Sequence, residues 1–351
     1  MRGLLPLSNQ ALDEALDSSR DLIAPPSSYA YLIALRAMRK PLLVVTSSSR
    51  AAEELAKEIR ELHQETLEFP AWETLPHERL SPSADTVSKR ISALQALNQD
   101  VKQNWVVVAP IRAVIHKFNA RLADLEPLRL SRGLEFDLTK LQRDLVSFAY
   151  TRTDLVERRG EFAVRGGILD IFPPDRNHPI RIDFFGDEIE EIKSFAIADQ
   201  RSLEPISDEI SILPCRELLL TDEIKERARE LSRSIPNEIL QKISEGLQPE
   251  GMESLIPLLV DNLRLIADSM PENYETLFIE RERVIGRVAD LLETNEEFRQ
   301  AAWSNAAAGG KVPIEAGSTY IDWDELSDRL DRKRDLRQFG IDGDCFLDLN
   351  P

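Results

Sequence analysis

The stretch Arg159–Phe195 reads RGEFAVRGGILDIFPPDRNHPIRIDFFGDEIEEIKSF. Short runs in which apolar and polar residues alternate are separated by glycine and proline pairs, a pattern typical of β-strands joined by turns. This is the densest strand pattern in the sequence. It also concentrates arginine in a chain whose formal net charge is −18. We therefore expect an antiparallel sheet here, with a surface suited to docking.

The flanking segments predict a different architecture. Continuous apolar runs at Pro41–Thr46 and Trp105–Ala109 are typical of buried parallel strands, and helical patterns lie between them. After the central stretch, the run Glu275–Glu280 predicts another strand, followed by a helix from about Arg281 to Ala302. Strands that alternate with helices indicate an α/β fold with a mainly parallel sheet. Smaller features are a strand entry at Thr153–Val156 and a loop at Ala306–Gly310.

The two patterns together predict a divided domain. We expect a degenerate RecA- or helicase-like α/β domain with a parallel sheet, interrupted by a small α+β domain with an antiparallel sheet. The predicted boundaries are 1–122 for the first part of the α/β domain, 123–214 for the insertion and 215–351 for the second part. A chain of 351 residues is long enough for two or three such units.

Composition and charge narrow the class of function. No apolar run approaches the roughly 18 residues of a membrane span, and no signal peptide is evident, so we expect a cytoplasmic protein without membrane contact. Cys215 and Cys345 are far apart and predict free thiols rather than a metal site. Proteins that bind nucleic acid by themselves usually carry a basic stripe. With a net charge of −18, a protein partner is the better expectation.

The segment Leu22–Ser28, followed by an apolar helix from Tyr29, has the strand–loop–helix layout of a phosphate-binding loop. The loop chemistry is wrong for that role, because phosphate cradling needs glycines and a following Lys-Ser/Thr pair. Pro25 and Pro26 remove N–H donors, and no glycine or lysine is present. Ser27 and Ser28 are better suited to capping the helix.

The strand pattern predicts which residues of the insertion face outward. In Ile180–Phe185, Ile180, Ile182 and Phe184 fall on one face, which we assign to the core. Arg181 and Phe185 then lie on the outer face. Arg165 would join them in one patch if its strand is a neighbour, and arginine and aromatic residues are enriched at interface hot spots.

The alternative is that these residues have only a structural role. Arg165 and Arg181 would then pair with Asp170, Asp183 or Asp187 on a solvated sheet surface, and Phe185 would belong to the core. On the residues alone, this alternative is the stronger one.

Four segments carry a resemblance to a known family. These are GEFAVRGGILDIFPP (160–174), IRIDFFGDEIEEI (180–192), GMESLIPLL (251–259) and FPAWETLPHERLSPSADTVSKRISAL (69–94). The first three resemble the excision-repair helicase subunit UvrB. Together with the fourth, they resemble more closely the UvrB-like N-terminal module of transcription-repair coupling factors, the Mfd family. We therefore interpret the chain as such a module from a longer protein.

The resemblance implies that the nucleotide site of the fold is lost. UvrB has an Asp-Glu-Ser-His box after a strand, where this chain has Glu280 and Arg281. Arginine at that position removes a carboxylate that would orient water beside Mg²⁺. Together with the loop at Pro25–Ser28, this predicts no catalytic residues, no metal and no cofactor for the chain. ATP and Mg²⁺ would serve the motor of the longer parent, an ATP-dependent DNA translocase.

The resemblance also assigns a partner. In the family the small β-rich domain binds UvrA, the damage-recognition ATPase, and the matching positions here are Arg165, Arg181 and Phe185. This reverses the preference for a structural role. RNA polymerase and DNA would be bound only through other parts of the longer protein, in which the UvrA-facing surface is expected to be masked and to hold the motor inactive.

Two alternatives remain open. The chain is a divergent UvrB-type ATP-dependent repair helicase subunit, or it is a plain interdomain scaffold. We expect no saturable binding of ATP with Mg²⁺, because neither the Pro25–Pro26 loop nor the Glu280–Arg281 pair supplies the necessary ligands. Binding of neither UvrA nor nucleotide would favour the scaffold.

Overall fold

The structure, a computed structural model, describes residues 21–75, 80–99, 104–207, 209–235, 237–307, 319–339 and 345–346. The strands are β1 (Leu22–Ile23), β2 (Leu42–Thr46), β3 (Thr66–Glu68), β4 (Val106–Pro110), β5 (Phe118–Asn119), β6 (Leu128–Leu130), β7 (Thr151–Arg152), β8 (Glu161–Arg165), β9 (Ile168–Ile171), β10 (Ile180–Phe185), β11 (Glu188–Phe195), β12 (Ser202–Pro205), β13 (Ile210–Ile212), β14 (Leu263–Arg264), β15 (Glu275–Ile279), β16 (Arg334–Arg337) and β17 (Cys345–Phe346). The α-helices are α1 (Tyr29–Ala37), α2 (Ser49–Leu62), α3 (Ala84–Gln99), α4 (Ile111–Val114), α5 (Leu138–Ser147), α6 (Asp222–Ser234), α7 (Glu238–Ser244), α8 (Ile256–Leu259), α9 (Arg281–Ala307) and α10 (Trp323–Arg329).

A seven-stranded parallel sheet forms the first layer of the fold, in the order β17-β1-β16-β15-β2-β4-β3. Its central strands are buried on both sides, which is why they read as continuous apolar runs. Leu42 and Val44 pack with α1 and α2 on one side. Leu43 and Val45 pack with α3 and α9 on the other. This three-layer arrangement confirms the predicted α/β class.

The stretch Arg159–Phe195 supplies four strands, β8 to β11, of a six-stranded sheet in the order β12-β11-β10-β9-β8-β7. All its pairings are antiparallel except β7 with β8. One face buries Ile171, Ile180 and Ile182 against Leu141 and Leu145 of α5. The fold is therefore an α/β domain interrupted by a small, mainly antiparallel α+β unit, as predicted.

A helical cluster follows the insertion before the chain returns to the parallel sheet. Residues of α6, α7 and α8 pack around Trp72 from the first part of the chain. Thr221 caps α6 by accepting a hydrogen bond from the Ile224 N–H, as its position before Asp222 suggests. The division of the chain at 122 and 214 stays a prediction.

Two consecutive residues attach the exit of the insertion to the rest of the molecule. The Glu217 carboxylate is fully buried and accepts from Arg90 Nε at 2.5 Å and from Trp72 Nε1 at 2.9 Å. Its neighbour Arg216 donates to Glu253 and to Ser81 Oγ. Buried ion pairs are costly to break from one side, so these contacts fix the chain where it leaves the insertion.

Three local predictions differ from the structure. The strand expected at Thr153–Val156 lies earlier, at β7, where backbone pairing with β8 is available. Ser28 does not cap α1 with its side chain; its Oγ donates to the Pro25 carbonyl instead, closing a 3-10 turn at Pro26–Ser28. The loop expected from Ala306 is still helical to Ala307. The spacing of Leu12, Ala15 and Leu16 also predicts a helix over residues 9–21, which lies outside the described residues apart from residue 21.

Candidate functional site

The outer face of the six-stranded sheet carries the predicted partner-binding residues. We call outer face the surface formed by Arg165, Ile168, Arg181, Asp183 and Phe185 and their same-side neighbours. Strand β10 shows the alternation directly, because Ile180 and Ile182 are buried whereas Phe185 is 79% exposed. The structural alternative requires Phe185 to be a core residue, and this exposure shows that it is not one.

Arg165 and Arg181 share this face but not neighbouring strands. Strand β9 lies between β8 and β10, so the condition of adjacent strands is not met. In the ladder, Arg165 lies opposite Ile168, and Ile168 lies opposite Asp183. Residues directly opposite each other in a ladder point to the same side. The three predicted residues are therefore brought to one face, with Ile168 between Arg165 and β10.

Arg181 is held by the protein itself. Its Nε and Nη2 donate to the two oxygens of Asp170 at 2.7 and 2.9 Å, and Nη1 donates to the Gln200 carbonyl at 3.3 Å. The guanidinium also lies 4.8 Å from the centre of the Phe195 ring. The hydrogen bonds to Asp170 raise the pKa of Arg181 above its ordinary value. This is the pairing with Asp170 that the structural alternative anticipates.

Arg165 and Phe185 are much less constrained. Arg165 is exposed, and the one hydrogen bond given by its side chain within the described residues goes from Nη2 to the Asp154 carbonyl at 3.0 Å. The ring of Phe185 lies at the end of β10, beside the turn at Gly186. An exposed aromatic ring gains free energy when a partner buries it, and such rings are typical interface anchors.

The outer face changes character along the strands. At one end, Val156, Ala163, Phe172 and Phe195 form a small buried cluster that covers the sheet. Beyond Arg181, the other end is open. There Ile168 is 39% exposed beside Phe185, and Lys193 Nζ contacts Asp183 Oδ2 at 2.6 Å.

An apolar patch bordered by opposite charges suits a protein surface. The described residues hold no group of three or more histidines, cysteines or acids that could bind a metal.

Sequence reasoning missed Ile168. The signal was present in the Gly166–Gly167 pair, which predicts a tight turn and so places Ile168 opposite Arg165. A side chain at Gly167 would come within 2.9 Å of the Phe184 carbonyl, so glycine is required for the turn to approach β10.

The positions of the second predicted site also converge. The loop before α1 and the end of β15 are joined by the Tyr29 hydroxyl, which donates to Glu280 Oε1 at 3.2 Å. The Gln338 N–H donates to the same oxygen at 2.9 Å. Burial, and then the Glu280 carboxylate, raise the pKa of Tyr29 well above its ordinary value. The Glu280 carboxylate is thus engaged within the protein.

Arg281 faces acids rather than an open pocket. Its N–H donates to Asp335 Oδ1 at 3.0 Å, and its Nη2 lies 3.8 Å from Asp21 Oδ1. The guanidinium also lies 5.2 Å from the centre of the Phe278 ring. Pro26, Ser27 and Ser28 form the 3-10 turn described above, and the Ser28 N–H donates to the carbonyl of the preceding Pro25. None of the described helices is long and apolar enough to cross a membrane.

The inserted sheet and the chain as a whole are similar to known proteins. Residues 128–218, which include the whole six-stranded sheet, match the UvrB interaction domain family. The transcription-repair-coupling factor of Mycobacterium tuberculosis (strain CDC 1551 / Oshkosh) is 40% identical over 330 residues, which cover 87% of this chain and 27% of that protein. The Escherichia coli K12 protein of the same name is 30% identical over 226 residues, covering 62% and 19%. The Bacillus subtilis one is 27% identical over 300 residues, covering 78% and 25%.

This chain therefore spans about a quarter of the length of the relatives it matches best. The similarity extends well beyond the inserted sheet into the parallel one, because 87% of the chain is covered. Residues 128–218 match the UvrB interaction domain family, and the chain that contains them is a relative of the transcription-repair-coupling factors.

Proposed function

We propose that this chain is a non-catalytic module that recruits the excision-repair protein UvrA and so links stalled transcription to nucleotide excision repair. The observation that carries the proposal is the exposed Phe185 at the open end of a sheet that matches the UvrB interaction domain family. A domain of that name needs a partner surface, and the outer face supplies an aromatic anchor. The proposal places the chain in the cytoplasm, with RNA polymerase and DNA bound by other parts of a longer protein.

The three predicted residues have different roles in this proposal. Phe185 and Arg165 contact UvrA directly, because both are exposed and little constrained. Arg181 contributes mainly by position, since its Nε, Nη1 and Nη2 atoms each already donate one hydrogen bond to Asp170 or Gln200. Ile168 adds apolar area next to Phe185.

The non-catalytic part of the proposal rests on the second predicted site. A carboxylate that takes part in hydrolysis must be available to Mg²⁺ or to water. Glu280 instead accepts from Tyr29 and Gln338, and two prolines replace the N–H donors of a phosphate loop. These features favour a binding module over the divergent ATPase.

A capture assay tests the proposal. The chain is immobilised, and purified UvrA is passed over the wild type and over the double variant Arg165→Glu with Phe185→Ala. We expect the double variant to lose UvrA binding while keeping a wild-type Tm. The matched control is Phe339→Ala, which removes a ring of similar exposure, 76%, outside the inserted sheet. Wild-type-like binding by the folded double variant would refute the assigned surface.

A further inference from the structure

A crevice of about 500 Å³ opens beside the carboxyl ends of β2 and β4. It is lined on one side by Ser47, Ser48 and Ser49, which follow β2, and by Pro110, which ends β4. The start of α9, which follows β15, forms the other side. None of these residues belongs to the outer face or to the Pro25–Ser28 loop.

The topology makes this position special. Strands β15 and β2 are parallel neighbours, but the helices that follow them leave in opposite directions. Helix α2 packs on one side of the sheet and leads to β3, whereas α9 packs on the other side and leads to β16. In open parallel sheets, ligands bind in the crevice where the connections diverge in this way.

The lining carries an unusual excess of positive charge for so acidic a chain. Arg112, Arg283 and Arg287 contribute guanidinium groups, and Asp290, 4.0 Å from Arg287, is the acid among the lining residues that the structure describes. Within the described residues, the exposed Arg283 side chain makes no hydrogen bond or ion pair. Arg112 is fixed in place, because its Nε donates to the Tyr320 hydroxyl at 3.0 Å and its Nη2 donates to the Thr74 carbonyl.

We propose that this crevice binds a compact anion that carries two or more phosphate groups. Guanidinium groups match phosphate oxygens in geometry, and the neighbouring serine hydroxyls add donors. Among the described residues that line the crevice none is aromatic, so these residues offer no stacking platform for a base. Asp290 and the net charge of −18 disfavour a long polyanion that would extend beyond the crevice.

Calorimetric titration with sodium tripolyphosphate, in the absence of Mg²⁺, tests this proposal. We expect saturable binding that weakens with added salt. Arg283→Ala should weaken it by about tenfold, because one charge-assisted contact is lost. The control is Arg299→Ala, which removes an exposed arginine farther along the same helix, where it pairs with Glu296. Both variants should keep the wild-type Tm and UvrA binding.

Three results would overturn the proposal. The first is the absence of saturable binding, and the second is an equal loss in both arginine variants, since either result would mean that the crevice is not a site. The third comes from a second titration with single-stranded oligothymidylate, which we expect not to bind. Arg283-dependent binding of the oligonucleotide as tight as that of tripolyphosphate would replace the compact ligand with a nucleic-acid strand.

Discussion

Arg181 and Asp170 form a two-point ion pair across β10 and β9, with the Asp170 side chain only 3% exposed. The main role of Arg181 is therefore to stabilise the sheet by pairing with Asp170. Its guanidinium lies between the buried cluster around Phe195 and the open end that carries Phe185. Substituting Arg181 would thus disturb the surface on which the partner rests, and a loss of binding would not by itself identify a contact.

This relationship predicts that Arg181→Ala differs from Arg165→Ala. Removing Arg181 leaves a buried carboxylate without its partner, so we expect the free energy of unfolding to fall by about 2 kcal/mol. Removing the exposed Arg165 should change it by less than about 0.5 kcal/mol. Urea denaturation of both variants measures the difference.

The double variant Arg181→Ala with Asp170→Asn is the control for that prediction. It removes the uncompensated charge and should recover part of the lost stability. Equal stability of the two single variants would contradict the positioning role of Arg181.

Phe185→Ala alone should weaken UvrA binding strongly at no cost in stability. An aromatic anchor at the centre of an interface contributes on the order of 2 kcal/mol, or roughly 30-fold in Kd. Because the ring is 79% exposed, its removal creates no cavity. Surface-bound chain titrated with UvrA gives both Kd values. An unchanged Kd would place the contact elsewhere on the domain.

Ile168→Asp should also weaken UvrA binding, by a smaller factor than Phe185→Ala. The side chain is partly exposed and lies between Arg165 and Asp183 in the ladder, so a carboxylate there would remove apolar contact area and place a second acid opposite Asp183. The control is Leu203→Asp, which also replaces an aliphatic side chain with a carboxylate. Leu203 is 48% exposed and lies on the edge strand β12. Similar binding losses for both variants would indicate a general charge effect rather than a contact at Ile168.

The chain should not hydrolyse ATP. In a phosphate-release assay with Mg²⁺, we expect the same background rate for wild type and for Glu280→Ala, because the Glu280 carboxylate is held by Tyr29 and Gln338. ATP turnover that Glu280→Ala abolishes would restore the divergent ATPase.

Because of His116, the free energy of unfolding should decrease as the pH is lowered below about 6.5. This side chain is 2% exposed and lies between Trp72 and Tyr320. Burial, and then the charges of Arg90 and Arg112, lower its pKa well below the ordinary value of 6.5. The unfolded chain then binds a proton that the folded chain does not, so stability is lost as pH falls below 6.5, by up to about 1.4 kcal/mol per pH unit.

The measurement compares urea denaturation at pH 7 and pH 5.5 in wild type and in His116→Phe. The variant should show a smaller decrease in stability between these two pH values. His178→Asn, which changes an exposed histidine, should keep the wild-type decrease. A decrease that His116→Phe leaves unchanged would assign the effect to other groups.

The sequence predicted features that depend on neighbours along the chain. The alternation of apolar and polar residues in Ile180–Phe185 is a local feature. It correctly predicted that Phe185 is exposed and that Ile182 is buried. The continuous apolar run at Leu42–Thr46 is equally local and predicted a strand buried on both sides. Both follow from side-chain periodicity alone.

Features that depend on cross-strand register were harder to predict. Which acid pairs with Arg181 is decided by the antiparallel ladder of β9 and β10, in which residue 181 lies opposite residue 170. Sequence reasoning left Asp170, Asp183 and Asp187 as equal candidates. The crevice beside β2 and β4 was missed because its arginines come from distant segments and share no motif.

The buried contacts of Arg216 and Glu217 have a mechanical consequence. A load applied to the inserted sheet by a bound partner would reach helix α3 of the α/β domain through the Arg90–Glu217 pair, and the helical cluster through the Arg216–Glu253 pair. A flexible linker would extend under such a force, whereas these buried ion pairs would transmit it. For the proposed binding of UvrA, the insertion would therefore be a rigid attachment to the rest of the chain rather than a flexible one.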